Sequence, residues 1–194
     1  MANVQSSFGF RHIGFLSGGA PDYQLATRAI SSANATKIYR GDPVVKIATT
    51  QYIKQGADTT TTLEGIFDGC VYIPVGGGSP IWSPFWPGTA NVDATAYIIN
   101  APNALFLAST LLTSIQASNI GEGVSYAIGT GSTTGGGFSG ATIDQSTLTT
   151  ATTAGFQIYN LYQGIGNGTD TTTNYDWAVV TFNNQRFKNP AGIA

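Results

Sequence analysis

The sequence predicts an all-β chain: a single β-barrel or sandwich-like domain with extended N- and C-terminal arms. Two observations carry this expectation. Short apolar runs recur between turn-forming clusters of Gly, Pro, Asn and Asp, and only one stretch, 109–119, could be argued as a helix. No fixed-period repeat is present, so the runs read as strands of one barrel or sandwich rather than a solenoid. Charged residues make up only 9% of the 194, where a soluble protein usually carries about a quarter. The surface must therefore be covered by Thr, Ser, Asn, Gln and Gly. Such a surface suits a protein that buries it in an assembly or lives outside a cell, because a neighbour covers it without ionic desolvation.

The chain divides into an arm at 1–35, a β-rich core at 36–182 and a polar, weakly basic tail at 183–194. In the first part Phe8, Phe10, Phe15 and Tyr23 are separated by Gly and Ser pairs with no helical period. That reads as an extended arm laying aromatics onto another surface, or as an ordinary first strand pair of the same core. Lys37–Arg40 and Val44–Ala48 flank a Gly41-Asp42-Pro43 turn, which predicts a hairpin or a tight corner. A strand at 51–55 and the β-branched run Thr59–Thr62 follow. AYIIN (96–100) and ALFLA (104–108) are strands on either side of Pro102-Asn103. Within 109–119, Leu111, Leu112 and Ile115 fit a helical turn or an alternating strand equally. VSYAI leads to the glycine-rich loop 129–140. FQIYNLY (156–162), a polar loop at 164–173 and WAVVTF (177–182) complete the core.

The chain is organised around Gly65–Gly88, which holds the single Cys and two of the three Trp. It reads as a buried strand, a Gly76-Gly77-Gly78 turn needing backbone angles that side chains resist, and an aromatic-proline return. Phe67, Cys70, Trp82, Phe85 and Trp86 are the expected anchors of the fold.

Little in the sequence points to chemistry. His12 is the one histidine, so neither a histidine metal pair nor a Ser-His-Asp set can be assembled without it. Cys70 sits among apolar residues as a small buried hydrophobe. Glu64 and Asp68, four apart on a strand, would lie roughly 13 Å from each other, too far for a glycosidase pair. The loop at 129–140 lacks the Lys and following helix of a phosphate loop. No catalytic residue, cofactor or metal ligand is expected. Net charge is −2 without a basic run, which argues against a nucleic-acid partner, and no apolar run is long enough to span a membrane. After Met1 the chain is polar, which predicts synthesis in a cytosol without a secretory leader. The formal sequons at Asn34 and Asn167 and the Arg40-Gly41-Asp42 tripeptide are read as incidental.

Several stretches in order carry a family likeness: FGFR (8–11), YRGDPV (39–44), GIFDGC (65–70), WSPFWP (82–87), AYII (96–99), PNALF (102–106) and WAVVTFNNQRF (177–187). Together they resemble small structural proteins of tailed bacteriophages, described as head, capsid-decoration or cement proteins. The resemblance implies a β-rich, non-enzymatic protein on the outer surface of the phage head, made in the host cytoplasm. Its partners would be the major capsid protein and itself, as a trimer or alternatively a dimer. Phe8, Phe10, Arg11, Phe15, Arg186 and Phe187 are then the candidate capsid or intersubunit contacts. The rival reading is a carbohydrate-binding β-sandwich module using the loops at 129–140 and 164–173.

Overall fold

The computed structural model describes residues 7–21, 25–58, 62–111, 115–134, 136–162 and 177–188. The fold is all-β, two sheets packed as a sandwich without a closed barrel. The first sheet runs β1 (Arg11–Phe15), β10 (Ala104–Ser109), β14 (Trp177–Phe182), β13 (Phe156–Leu161), β11 (Gly123–Ala127), β12 (Thr142–Thr149). The second runs β2 (Ala26–Ile30), β9 (Ala94–Ile99), β6 (Gly65–Tyr72), β4 (Pro43–Lys46), β5 (Ile53–Gln55), with β7 (Ile81–Ser83) also paired to β6. A two-stranded ribbon of β3 (Ile38–Tyr39) and β8 (Phe85–Trp86) stands apart. Every pairing between these strands is antiparallel. The described residues contain no α-helix, only a single 3-10 turn at Ala117–Asn119. The stretch where a helix was arguable thus starts as the end of β10 and finishes in that turn.

The second sheet is buried on both faces over much of its area, which explains why its strands read as near-continuous apolar runs. Successive residues alternate between two cores. Val45, Ile66 and Ile99 enter the larger one, shared with Phe106, Phe156, Val180 and Phe182 of the first sheet. Val44, Phe67 and Ile98 enter the smaller one, closed by Ile38 and Trp86 of the ribbon together with Ile30 and Ile53. The ribbon is therefore a lid on the far face of the second sheet.

Strict alternation would send Phe67 and Cys70 to opposite faces, yet both lie in the smaller core. A bulge between Phe67 and Gly69 reconciles them: Phe67 opposes Ile98, Gly69 opposes Tyr97, and Asp68 is the extra residue. In the larger core Phe156 stacks on Phe10 with ring centres 4.3 Å apart and on Phe182 at 5.7 Å. Gly76, Gly77 and Gly78 all adopt positive φ, at 101°, 88° and 113°, as the turn required.

Three expectations are corrected. Residues 1–35 are not a free arm where described: β1 adds to the edge of the first sheet through β10, and β2 pairs along the length of β9. The described part of the tail is also tied down, since Leu63 N donates to Asn184 O and Arg186 N to Leu63 O. Residues 1–6, 22–24 and 189–194 lie outside the described residues, as do 59–61, 112–114 and the loop expected at 164–173. Finally, Trp82 is no buried anchor; it is 58% exposed, whereas Phe67, Cys70 and Trp86 are fully buried and Phe85 half-buried. The turns at 41–43 and 101–103 join different layers. β3 pairs with β8 rather than with β4, and β9 and β10 belong to different sheets, so each turn is a corner and not a hairpin.

Candidate functional site

Three of the four candidate contact residues near the start, Phe8, Phe10 and Arg11, line one cleft. It has a volume of about 140 Å³ and is lined by Phe8, Phe10, Arg11 and His12 from one side and by Arg40, Asp68 and Phe138 among others from the rest. The bulge in β6 creates its polar corner: Asp68 is thrown out of the ladder and takes a hydrogen bond from Arg40 Nε at 2.8 Å. Arg11 lies over the Phe8 ring at 5.8 Å, and Phe8 meets Trp177 edge-on at 5.2 Å. Phe10 forms the floor and is buried, so it is a core residue rather than a contact. Phe15 lies outside this cleft, half-buried against the His12 ring.

The two tail candidates sit elsewhere. Arg186 approaches the buried Glu64 carboxylate at 3.9 Å, and Phe187, 53% exposed, stacks beneath Arg28 at 5.6 Å. Glu64 takes its hydrogen bond from Arg28 Nε at 2.6 Å. Glu64 and Asp68 thus each have their own arginine, and the structure does not bring them together as a pair. His12 and Cys70 are also apart. His12 Nε2 is 3.0 Å from Gly14 O and its ring rests on Phe15 and Phe106 of the first sheet, whereas Cys70 lies in the smaller core. Burial pushes the Cys70 thiol up to about 12, which disfavours the thiolate a nucleophile needs.

The glycine-rich loop 129–140 is held by a buried carboxylate. Asp42 is fully buried; its Oδ2 accepts from Tyr39 N and from Gln55 Nε2, each at 2.7 Å, and its Oδ1 accepts from Ser139 Oγ. Arg40 N donates to Gly137 O and Ser139 N to Arg40 O, both at 2.9 Å. The sequence showed Asp42 only as a turn residue, because its acceptor role depends on a loop far along the chain. Burial raises the Asp42 carboxyl above its ordinary range despite these donors. Between about 3.9, the unfolded value, and that raised value, the folded chain holds the extra proton. Stability therefore falls as pH rises through this window. Asp42→Asn is expected to flatten that slope. Its carbonyl can keep Tyr39 and Gln55 while its amide donates to Ser139, so stability near pH 4 should change by no more than about 1 kcal/mol. Thermal melts from pH 4 to 7 measure both; an unchanged slope would show that Asp42 does not titrate there.

Sequence reasoning missed the surface around β7. Val75 is 70% exposed at the tip of the β6–β7 hairpin, and Ile81 and Trp82 are exposed on β7 itself. One signal was available: residues 69–92 contain no Asp, Glu, Lys or Arg. No helix among the described residues is long and apolar enough to cross a membrane. No family model, curated protein or solved structure matches the chain.

Proposed function

We propose that this chain is a structural virion protein that decorates an icosahedral phage head on its outer surface and bridges major capsid protein subunits. The observation that carries this reading is the combination of 9% charged residues with apolar side chains displayed at Val75, Trp82 and Phe187. A surface of this kind gains by being covered and meets little ionic desolvation when it is. The ordered resemblance to phage head proteins, from FGFR to WAVVTFNNQRF, supplies the partner. Holding a shell against internal pressure calls for many copies and many modest contacts, so avidity rather than one deep pocket would do the holding. The cleft around Arg11 and Arg40 offers a shallow polar notch within such a contact.

Quantitative mass spectrometry of purified particles tests the proposal. Copy numbers comparable to the major shell protein are expected. Absence from the particle would overturn the reading. About a dozen copies or fewer would place the protein at a vertex, neck or tail, and a signal on a glycan array would then favour the carbohydrate-binding alternative.

A further inference from the structure

We infer that the cleft beside β1 is a carboxylate-binding site that takes one acidic side chain, a glutamate, from a partner protein. The pairing of the arginines singles it out. Of the four in the chain, Arg28 and Arg186 both face the buried Glu64, whereas Arg11 and Arg40 line this cleft. Among the described residues no carboxylate pairs with Arg11, whose guanidinium lies over the Phe8 ring. Asp68 takes only the Nε–H of Arg40. The two Nη groups of that side chain, which is 41% exposed, have no acceptor among the described residues. A guanidinium presents its donors as a planar fork that matches a carboxylate.

The backbone builds this cleft. Gly9 and Gly41 meet main chain to main chain, both at positive φ, 72° and 94°. A Cβ added at Gly9 would lie 2.9 Å from Gly41 O, and one at Gly41 would lie 3.1 Å from Gly9 Cα. Phe10 N donates to Gly41 O at 2.9 Å. The segment bearing Arg11 is thereby set directly against the one bearing Arg40. A bridge from Arg40 to Phe138 adds an aromatic wall, and Phe10, Ile66 and Ile99 line the apolar remainder.

The occupant follows from charge and volume. Among the lining residues, two arginines set against one carboxylate leave a single positive charge, with His12 counted neutral. One carboxylate balances it, where a phosphate at about −2 would overshoot. The volume of about 140 Å³ is well below the roughly 300–1,000 Å³ of a small-molecule pocket, so the space suits one side chain. Glutamate supplies both parts required, a methylene stem for the phenylalanine walls and a carboxylate for the two forks. The inference deepens the docking role proposed for this cleft. Its test uses the isolated chain, so it stands or fails separately from the copy number in particles.

NMR titration of the full chain at low salt tests it, with N-acetylglutamate N-methylamide as the probe and its glutamine counterpart as the neutral control. The glutamate probe is expected to shift the Nε signals of Arg11 and Arg40 and the amides of residues 8–12. Saturation should fall in the millimolar range of a single exposed charged contact, and the glutamine probe should bind about tenfold more weakly. Arg11→Gln should weaken glutamate binding about tenfold with an unchanged melting temperature. Asp68→Asn should tighten it by removing the carboxylate already in the cleft. Lys54→Gln, exposed on β5 and outside the cleft, should leave it unchanged. Equal shifts with both probes, no shift in the cleft, or an Arg11→Gln variant that binds as well as wild type overturns the proposal. So does tighter binding of inorganic phosphate than of the glutamate probe, since the cleft then reads charge alone. An Arg11→Gln variant that melts lower also overturns it, because the arginine then already serves its own chain.

Discussion

Trp86→Ala is expected to destabilise the protein by about 3–5 kcal/mol, as truncation of a buried aromatic usually does. That is a large share of the roughly 5–15 kcal/mol that holds a domain folded. Trp86 is fully buried in the smaller core, meets Tyr72 edge-on at 5.9 Å, and sits opposite Ile38 in the ribbon. Its indole N–H donates to Asn34 O at 2.9 Å. Truncation therefore opens a cavity beneath the ribbon and removes the donor that fixes the loop at residue 34. Trp86→Phe keeps most of the packing and should cost less, about 1–2 kcal/mol, mainly through the orphaned carbonyl. The informative control is Trp82→Ala, which removes a mostly exposed ring and should stay within about 1 kcal/mol. Chemical denaturation of the three variants, compared by midpoint at constant slope, checks the ranking. Equal losses at 82 and 86 would mean that the ribbon does not close a core.

The same pair of tryptophans shows how far the sequence could be read. Strand existence was legible wherever apolar runs met turn residues, as in GIFDGCVY, AYII, ALFLA and WAVVTF, because burial on one or both faces leaves a direct imprint on composition. Which face each residue takes was not. Trp82 and Trp86 stand in one aromatic-proline return with similar neighbours, and only the pairing of β8 with β3 and of β7 with β6 separates lid from rim. The bulge at Asp68 was equally hidden: one extra residue reverses the facing of everything after it, and nothing local announces it. Corners were legible as turns but not as changes of sheet, since Pro102-Asn103 joins neighbouring runs that lie in different sheets. Of the candidate contacts, Phe8 and Arg11 do share a cleft, whereas Phe10 was taken from the surface into the larger core. Arg186 and Phe187 were identified as a terminal pair, but their partners, Glu64 and Arg28, are distant in sequence and could not be seen from the tail.

Those partners make Arg28 the second site of large effect. Arg28→Ala is expected to cost about 2–3 kcal/mol, somewhat below the roughly 3–5 kcal/mol for breaking a fully buried pair, because the arginine side itself retains some exposure. Glu64 is only 2% exposed, and its Oε1 depends on Arg28 Nε at 2.6 Å, while Oε2 has Arg186 Nε no nearer than 3.9 Å. Removing Arg28 leaves a carboxylate in the protein interior with one distant cation. It also takes the guanidinium off the Phe187 ring, which loosens the segment that Gln185 pins by donating to Glu64 O at 3.3 Å and Asn100 O at 3.1 Å. Arg186→Ala breaks a longer, more exposed contact and should cost less than about 1 kcal/mol. The double variant Arg28→Met with Glu64→Leu removes both charges and should recover most of the loss, because much of the penalty lies in the stranded carboxylate rather than in the attraction forgone. Unfolding midpoints for the single and double variants close a mutant cycle. A double variant no more stable than Arg28→Ala would show instead that the arginine acts by covering Phe187. The tail would then be held by packing, and its candidate contact residues would be free to serve a partner without unseating a buried charge.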